Sequence, residues 1–112
     1  MWHYDLYILR MDVDSITDLF IPDGELGDIA KGRDSIRQFL RNFKNVRVLS
    51  QVSVIDSTKI NADTAVQYGH YAQEDVMNHK DTMRVKGSFV AKWLWQGDNG
   101  WKLKRMDTKP TP

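Results

Sequence analysis

The chain has 112 residues, 41% of them hydrophobic and 11% aromatic, which suits one compact domain with a real core. With 28% charged residues and a net charge of +1, it falls outside the disordered and fibrous classes. It has no cysteine, which excludes disulfides, thiolate zinc sites and a cysteine nucleophile together and agrees with a reducing compartment. No apolar run approaches the ~20 residues that span a bilayer. The start, Met1 to Asp5, lacks the basic and apolar stretches of a signal peptide. The expected location is therefore cytoplasmic, with no membrane partner.

In chain order, Trp2, Leu6 and Leu9 sit at i, i+4 and i+7 and predict a first amphipathic helix ending near Met11. Asp12 is placed to cap a second helix, with Ile16, Leu19 and Phe20 on one face. Pro22-Asp23-Gly24 is a turn signal expected to end it. Glu25 to Ala30 leaves room for a single small strand. Gly32-Arg33-Asp34 opens a third helix whose Ile36, Phe39, Leu40 and Phe43 keep a helical period, ending near Asn45.

The period then changes from about 3.6 to 2. Val46, Val48, Val52 and Val54 alternate with Arg47, Gln51 and Ser53 in a long strand. Ala62-Asp63 turns into a second, Thr64 to Glu74. Asp75 to Asp81 reads as a polar loop before a third, Thr82 to Gln96. Gly97 to Gly100 reads as a hairpin turn into the fourth, Trp101 to Thr108, with Pro110 and Pro112 in a tail. Helices first and an antiparallel meander afterwards predict an α+β fold, with residues 1–112 forming a single domain.

Charge is unevenly spread. Residues 1–30 carry seven acids and one base, whereas residues 31–47 carry six bases and one acid. A basic cluster at Arg33, Arg37 and Arg41 can bind phosphates. The plainer reading is two neighbouring helices with complementary faces, and no nucleic acid partner is expected.

The third long strand has the clearest pattern. Met83, Val85, Gly87, Phe89, Ala91, Trp93 and Trp95 share one face, and Arg84, Lys86, Ser88 and Lys92 the other. Large aromatics beside Gly87 and Ala91 give that face bulk and hollows, either a packed core or the wall of an apolar pocket. The second strand is ambivalent, with Thr64, Val66, Tyr68, His70 and Ala72 on one side and Ala65, Gln67, Gly69, Tyr71 and Gln73 on the other. A sheet covered by helices on one face and by a second copy on the other would have this composition.

Four stretches resemble motifs of the NTF2-like superfamily, which includes SnoaL-like cyclases, ketosteroid isomerase and scytalone dehydratase. They are Asp12-Val-Asp-Ser-Ile-Thr-Asp-Leu-Phe-Ile-Pro-Asp-Gly24, Gly32-Arg-Asp-Ser-Ile-Arg-Gln-Phe-Leu40, Ala62-Asp-Thr-Ala-Val-Gln-Tyr-Gly-His-Tyr71, and Val85-Lys-Gly-Ser-Phe-Val-Ala-Lys-Trp93 followed by Gly100-Trp-Lys-Leu103. The resemblance spans nearly all of residues 4–108. It implies a cone: a strongly curved, mainly antiparallel sheet wrapped around N-terminal helices, a pocket at the wide end, and a homodimer through the outer sheet face. One such cone hosts many chemistries.

The resemblance also offers site residues one at a time. Tyr4 falls where ketosteroid isomerase has its oxyanion-hole tyrosine, and Asp28 where it has its general base. A phenol donor facing a carboxylate across an apolar cavity would suit proton abstraction beside a carbonyl. The second oxyanion donor would fall near Ala91, where no acid stands. The dehydratase histidine would fall near Gln51, and no histidine is there. His70 is expected on the outer side of its strand, and His3 and His79 have no assigned role. Asp28 reads equally as a turn residue before Gly32, and Tyr4 as helix packing. The first helix allows at most about three turns where the family has about five, which leaves the pocket open or covered by a partner chain.

The leading expectation is a dimeric domain that binds a small, mainly apolar ligand. Gln67, Tyr71, Phe89 and Trp93 would line the pocket, with Asp28 as base and Tyr4 as donor for isomerase- or lyase-type acid–base chemistry on a carbonyl-type substrate. No cofactor and no metal are expected. The alternative is a non-catalytic dimerisation or protein-interaction module.

Overall fold

The computed structural model describes residues 12–42, 46–77 and 80–111; the first predicted helix, with Tyr4 and His3, lies outside them, as does His79. Within them two helices, α1 (Val13–Asp18) and α2 (Arg33–Arg41), pack on a six-stranded curved sheet. The strands are β1 (Phe20–Leu26), β2 (Ala30–Lys31), β3 (Val46–Asn61), β4 (Thr64–Met77), β5 (Asp81–Trp95) and β6 (Trp101–Pro110). Their order in the sheet is β2-β1-β6-β5-β4-β3. All neighbours are antiparallel except β1 and β6, which run parallel.

Asp12 caps α1 as its sequence context predicts: its carboxylate accepts from the Ser15 backbone N–H at 3.2 Å and from the Ser15 hydroxyl at 2.8 Å. Thr17 is buried, and its hydroxyl donates to the Val13 carbonyl at 2.7 Å, so no polar group is stranded. The helix closes at Asp18, before the expected Pro22-Asp23-Gly24 stop, and Phe20 reaches the core from a strand. Those three residues instead form the irregular middle of β1, where the register against β6 shifts between Phe20 and Glu25. Proline donates no ladder hydrogen bond, so it fits at such an irregularity, where β2 does not yet pair. The expected single strand at Glu25–Ala30 is a β1–β2 hairpin, with Glu25 opposite Lys31 and Gly27 at φ 53° in its turn.

Helix α2 buries Ile36 and Leu40 against the sheet. Its basic face is largely committed within the fold. Arg33 donates to the Phe20 carbonyl at 3.0 and 2.6 Å, and Arg37 pairs with Asp14 of α1 at 3.3 Å and with Asp34 at 3.4 Å. The complementary-helix reading of the charge pattern describes these contacts.

The four long strands form the expected meander. The segment 75–81, expected as a loop, is mostly ladder: Asp75 pairs with Met83 and Met77 with Asp81. Asp75 also pairs with Val48 on β3. Neighbours on both sides satisfy the backbone there, which outweighs the low strand preference of aspartate. Register shifts at Val48/Ser50, Ile55/Ser57 and Lys92/Trp93 mark bulges, the device by which a sheet bends. The concave face carries the core: Ala65, Ala91, Trp93, Leu103 and Met106 meet Ile16, Phe20, Ile36 and Leu40.

Candidate functional site

Strict alternation along β4 sends Ala65, Gln67, Gly69, Tyr71, Gln73 and Asp75 to the concave face, opposite Trp93, Ala91, Phe89, Gly87, Val85 and Met83 of β5. The deepest level is closed. Trp93 is 2% exposed, and its indole Nε1–H donates to the Gln67 carbonyl oxygen at 3.0 Å. The Gln67 amide reaches the Thr58 hydroxyl at 3.5 Å. Each buried polar atom of this pair therefore has a use.

The next level is built on two glycines. A Cβ on Gly69 would stand 2.6 Å from Cζ of Phe89 and would also strike the Val54 carbonyl. A Cβ on Gly87 would stand 2.9 Å from the Tyr71 hydroxyl. Each aromatic side chain thus closes over the glycine opposite it, Phe89 on Gly69 and Tyr71 on Gly87. Both rings are half-buried. The Tyr71 hydroxyl has no hydrogen-bond partner among the described residues.

Burial pushes the Tyr71 phenol above its ordinary value of 10.0. The unfolded chain ionises first, so the stability gained by keeping the phenol neutral is complete below about pH 10. It is lost as pH rises from there through the raised folded value. Urea melts between about pH 9 and about pH 11 should lose stability more steeply in the native protein than in Tyr71→Phe; parallel curves would mean that the phenol is solvated.

Beyond Tyr71 the concave face turns polar. Gln73 lies opposite Gln51, and Tyr71 opposite Ser53, while the Gln51 amide approaches the Ser53 hydroxyl at 3.4 Å. Asp75 is only 8% exposed, and both its oxygens accept from the Gln73 amide at 2.8 Å. The loop expected over 75–81 leaves Asp75 out of the site residues that the sequence suggests. Extending the alternation Ala65–Gln73 by one step would have placed it on the same face.

The structure brings Gln67, Tyr71, Phe89 and Trp93 together on this face, with Gln67 and Trp93 as floor and the two half-buried rings above them. Asp28 is elsewhere. It sits in the β1–β2 turn with its side chain 96% exposed, and its carboxylate accepts from Nη2 of Arg105 at 2.9 Å. Arg105 lies on the convex face, where it also holds Asp107 at 2.8 Å and Glu25. Asp107 foremost, and then Asp28, hold the guanidinium above the ordinary arginine range. Asp28 is the exposed rim of that cluster, so Asp28→Asn should move the thermal midpoint by less than about 2 °C. Arg105→Met should lower it several times further, because carboxylates then converge without a cation, and added salt should restore part of the loss. Equal effects from the two variants would contradict this arrangement. His70 is exposed on the convex face, as alternation predicts, and pairs with Asp56.

A curved, mostly antiparallel sheet wrapped on helices, with an inward row of aromatic and amide groups, is the NTF2-like cone fold. Solved structures share it. A ketosteroid isomerase-like protein from Erwinia carotovora atroseptica superposes with a TM-score of 0.82 at 16% identity, covering 96% of this chain and 88% of the other. An NTF2-like superfamily protein from Salmonella enterica gives 0.79 at 14%, covering 98% and 84%. A protein from Exiguobacterium sibiricum, named for the calcium/calmodulin-dependent kinase II association domain, gives 0.78 at 13%, covering 98% and 86%. Identities this low define a shared fold and leave chemistry open. No family model and no curated protein matches the sequence. No helix among the described residues is long and apolar enough to cross a membrane.

Proposed function

We propose that this domain binds a small, mainly apolar molecule on the concave face of its sheet, against Tyr71 and Phe89 with Gln67 and Trp93 beneath. The observation that carries the reading is the Tyr71 phenol: half-buried beside the Phe89 ring, and without a protein acceptor among the described residues. A neutral phenol beside an apolar ring suits a ligand with one carbonyl-type acceptor on a hydrophobic body. Isomerase- or lyase-type turnover with Asp28 as base and Tyr4 as donor is the finer form of the proposal. It requires the Asp28 carboxylate to leave Arg105 and reach the bound ligand.

The test is tryptophan fluorescence and thermal shift against steroid ketones, polyketides and aromatic acids, on the native chain, Tyr71→Phe and Asp28→Asn. Saturable binding, weakened about tenfold in Tyr71→Phe by loss of one buried hydrogen bond, is expected. Binding that survives Asp28→Asn while turnover disappears supports the catalytic form. Silence across the panel from a folded protein overturns the binding reading in favour of an interaction module.

A second element has its own observation. Val52 and Val54, each 56% exposed, and Tyr68, 44% exposed, form an apolar strip on the convex face. We read this strip as the contact of a homodimer. Sedimentation should show a dimer that Val54→Lys converts to monomer; a native monomer at micromolar concentration would overturn it.

A further inference from the structure

We infer that the ligand of the concave face carries a cationic amine, and that Asp75 is the group that recognises it; this rests on the binding reading above. Asp75 is a carboxylate 8% exposed at the polar end of the face. Among the described residues its one donor is the Gln73 amide, although an ionised carboxylate offers about four acceptor sites. A buried carboxylate is costly unless a counter-charge accompanies it.

No such charge comes from the strands around it. The concave positions flanking Asp75 are Val48, Gln51 and Ser53 on β3, Tyr71 and Gln73 on β4, and Met83 and Val85 on β5. Alternation sends the described bases of the neighbouring strands to the other face: Arg47 pairs with Val76, Lys86 with Ala72, and Arg84 with Glu74, which it also meets as an ion pair at 3.7 Å. Among the described residues no ion pair reaches Asp75. Among the described residues, then, the site holds a buried carboxylate with no cation beside it.

The rest of the face sets the body of the ligand. Tyr71 is four residues along β4 from Asp75, or about 13 Å at ~3.3 Å per residue, and Phe89 lies diagonally beyond it. An ammonium on Asp75 therefore places its apolar chain along Val85 towards the Tyr71 ring. The ligand class is an arylalkyl or alkyl amine with a body about 10 Å long.

The test uses a matched pair of probes, 4-phenylbutylamine and 4-phenyl-1-butanol, titrated calorimetrically at neutral pH into the native protein and into Asp75→Asn. The amine should bind native protein at least tenfold more tightly than the alcohol, and Asp75→Asn should erase that preference. Equal affinities in the native protein would overturn the assignment without need of the variant. So would a preference that persists in Asp75→Asn. If neutral ketones bind and neither probe does, the amine inference fails and the pocket stands; if nothing binds, both fall.

Discussion

Replacing Trp93 by phenylalanine should cost about 2–4 kcal/mol of unfolding free energy. The indole is 2% exposed in the core that joins the sheet to the helices. Phenylalanine is smaller, so a cavity remains in a region that cannot fully collapse around it. It also removes the donor held by the Gln67 carbonyl oxygen at 3.0 Å. An amide left buried without its partner costs about 1–3 kcal/mol by itself. Urea denaturation measures the loss, and a cycle with Gln67→Leu separates the two parts. In the double variant the stranded amide is gone, so it should be less unstable than the sum of the singles. A loss below about 1 kcal/mol for Trp93→Phe would mean that water reaches this level and that the pocket floor is open.

Gly69→Ala should cost about 1–3 kcal/mol, near the upper end of that range for overpacking. The added methyl would lie 2.6 and 2.7 Å from the Phe89 ring and would collide with the Val54 carbonyl. A ring can swing aside, whereas the carbonyl belongs to a paired strand and moves only with β3. The same shift displaces Phe89 from the face on which the ligand is proposed to lie, so stability and ligand affinity should fall together. Thermal melts and the fluorescence titration provide the two readings. An unaffected melting point would mean that Phe89 and Gly69 are not in contact.

The exposed convex strip and the proposed ligand site are compatible features of one molecule. A sheet with helices on one face leaves the other available, and β3 is one of its two edge strands. The apolar residues concentrate on β3 and β4 of the convex face, away from the Arg105 cluster on β6. That division places the proposed copy-to-copy contact and the internal charge latch on different parts of one surface.

What could be read from the chain was whatever depends on local period. Ile36 and Leu40 declare a helix face because their spacing matches a helical turn. Met83 to Trp93 declare an inward face because side chains alternate along a strand. Asp12 announces a helix start because its carboxylate serves backbone donors three residues away. These signals are complete within a few residues, so the two described helices, the meander and the inward row were legible. The motif resemblance supplied the cone.

Tertiary pairing decided the rest. Pro22-Asp23-Gly24 looks like a helix stop, and only the parallel approach of β6 makes it the irregular middle of a strand. Asp28 looks equally like a base or a turn residue; its direction depends on Arg105, 77 positions later in the chain. Asp75 looks like loop because aspartate resists strands, yet β3 and β5 close on both sides of it and leave a buried carboxylate with one amide donor. A residue's preference is local, but its burial and its partners are properties of what the distant chain brings beside it.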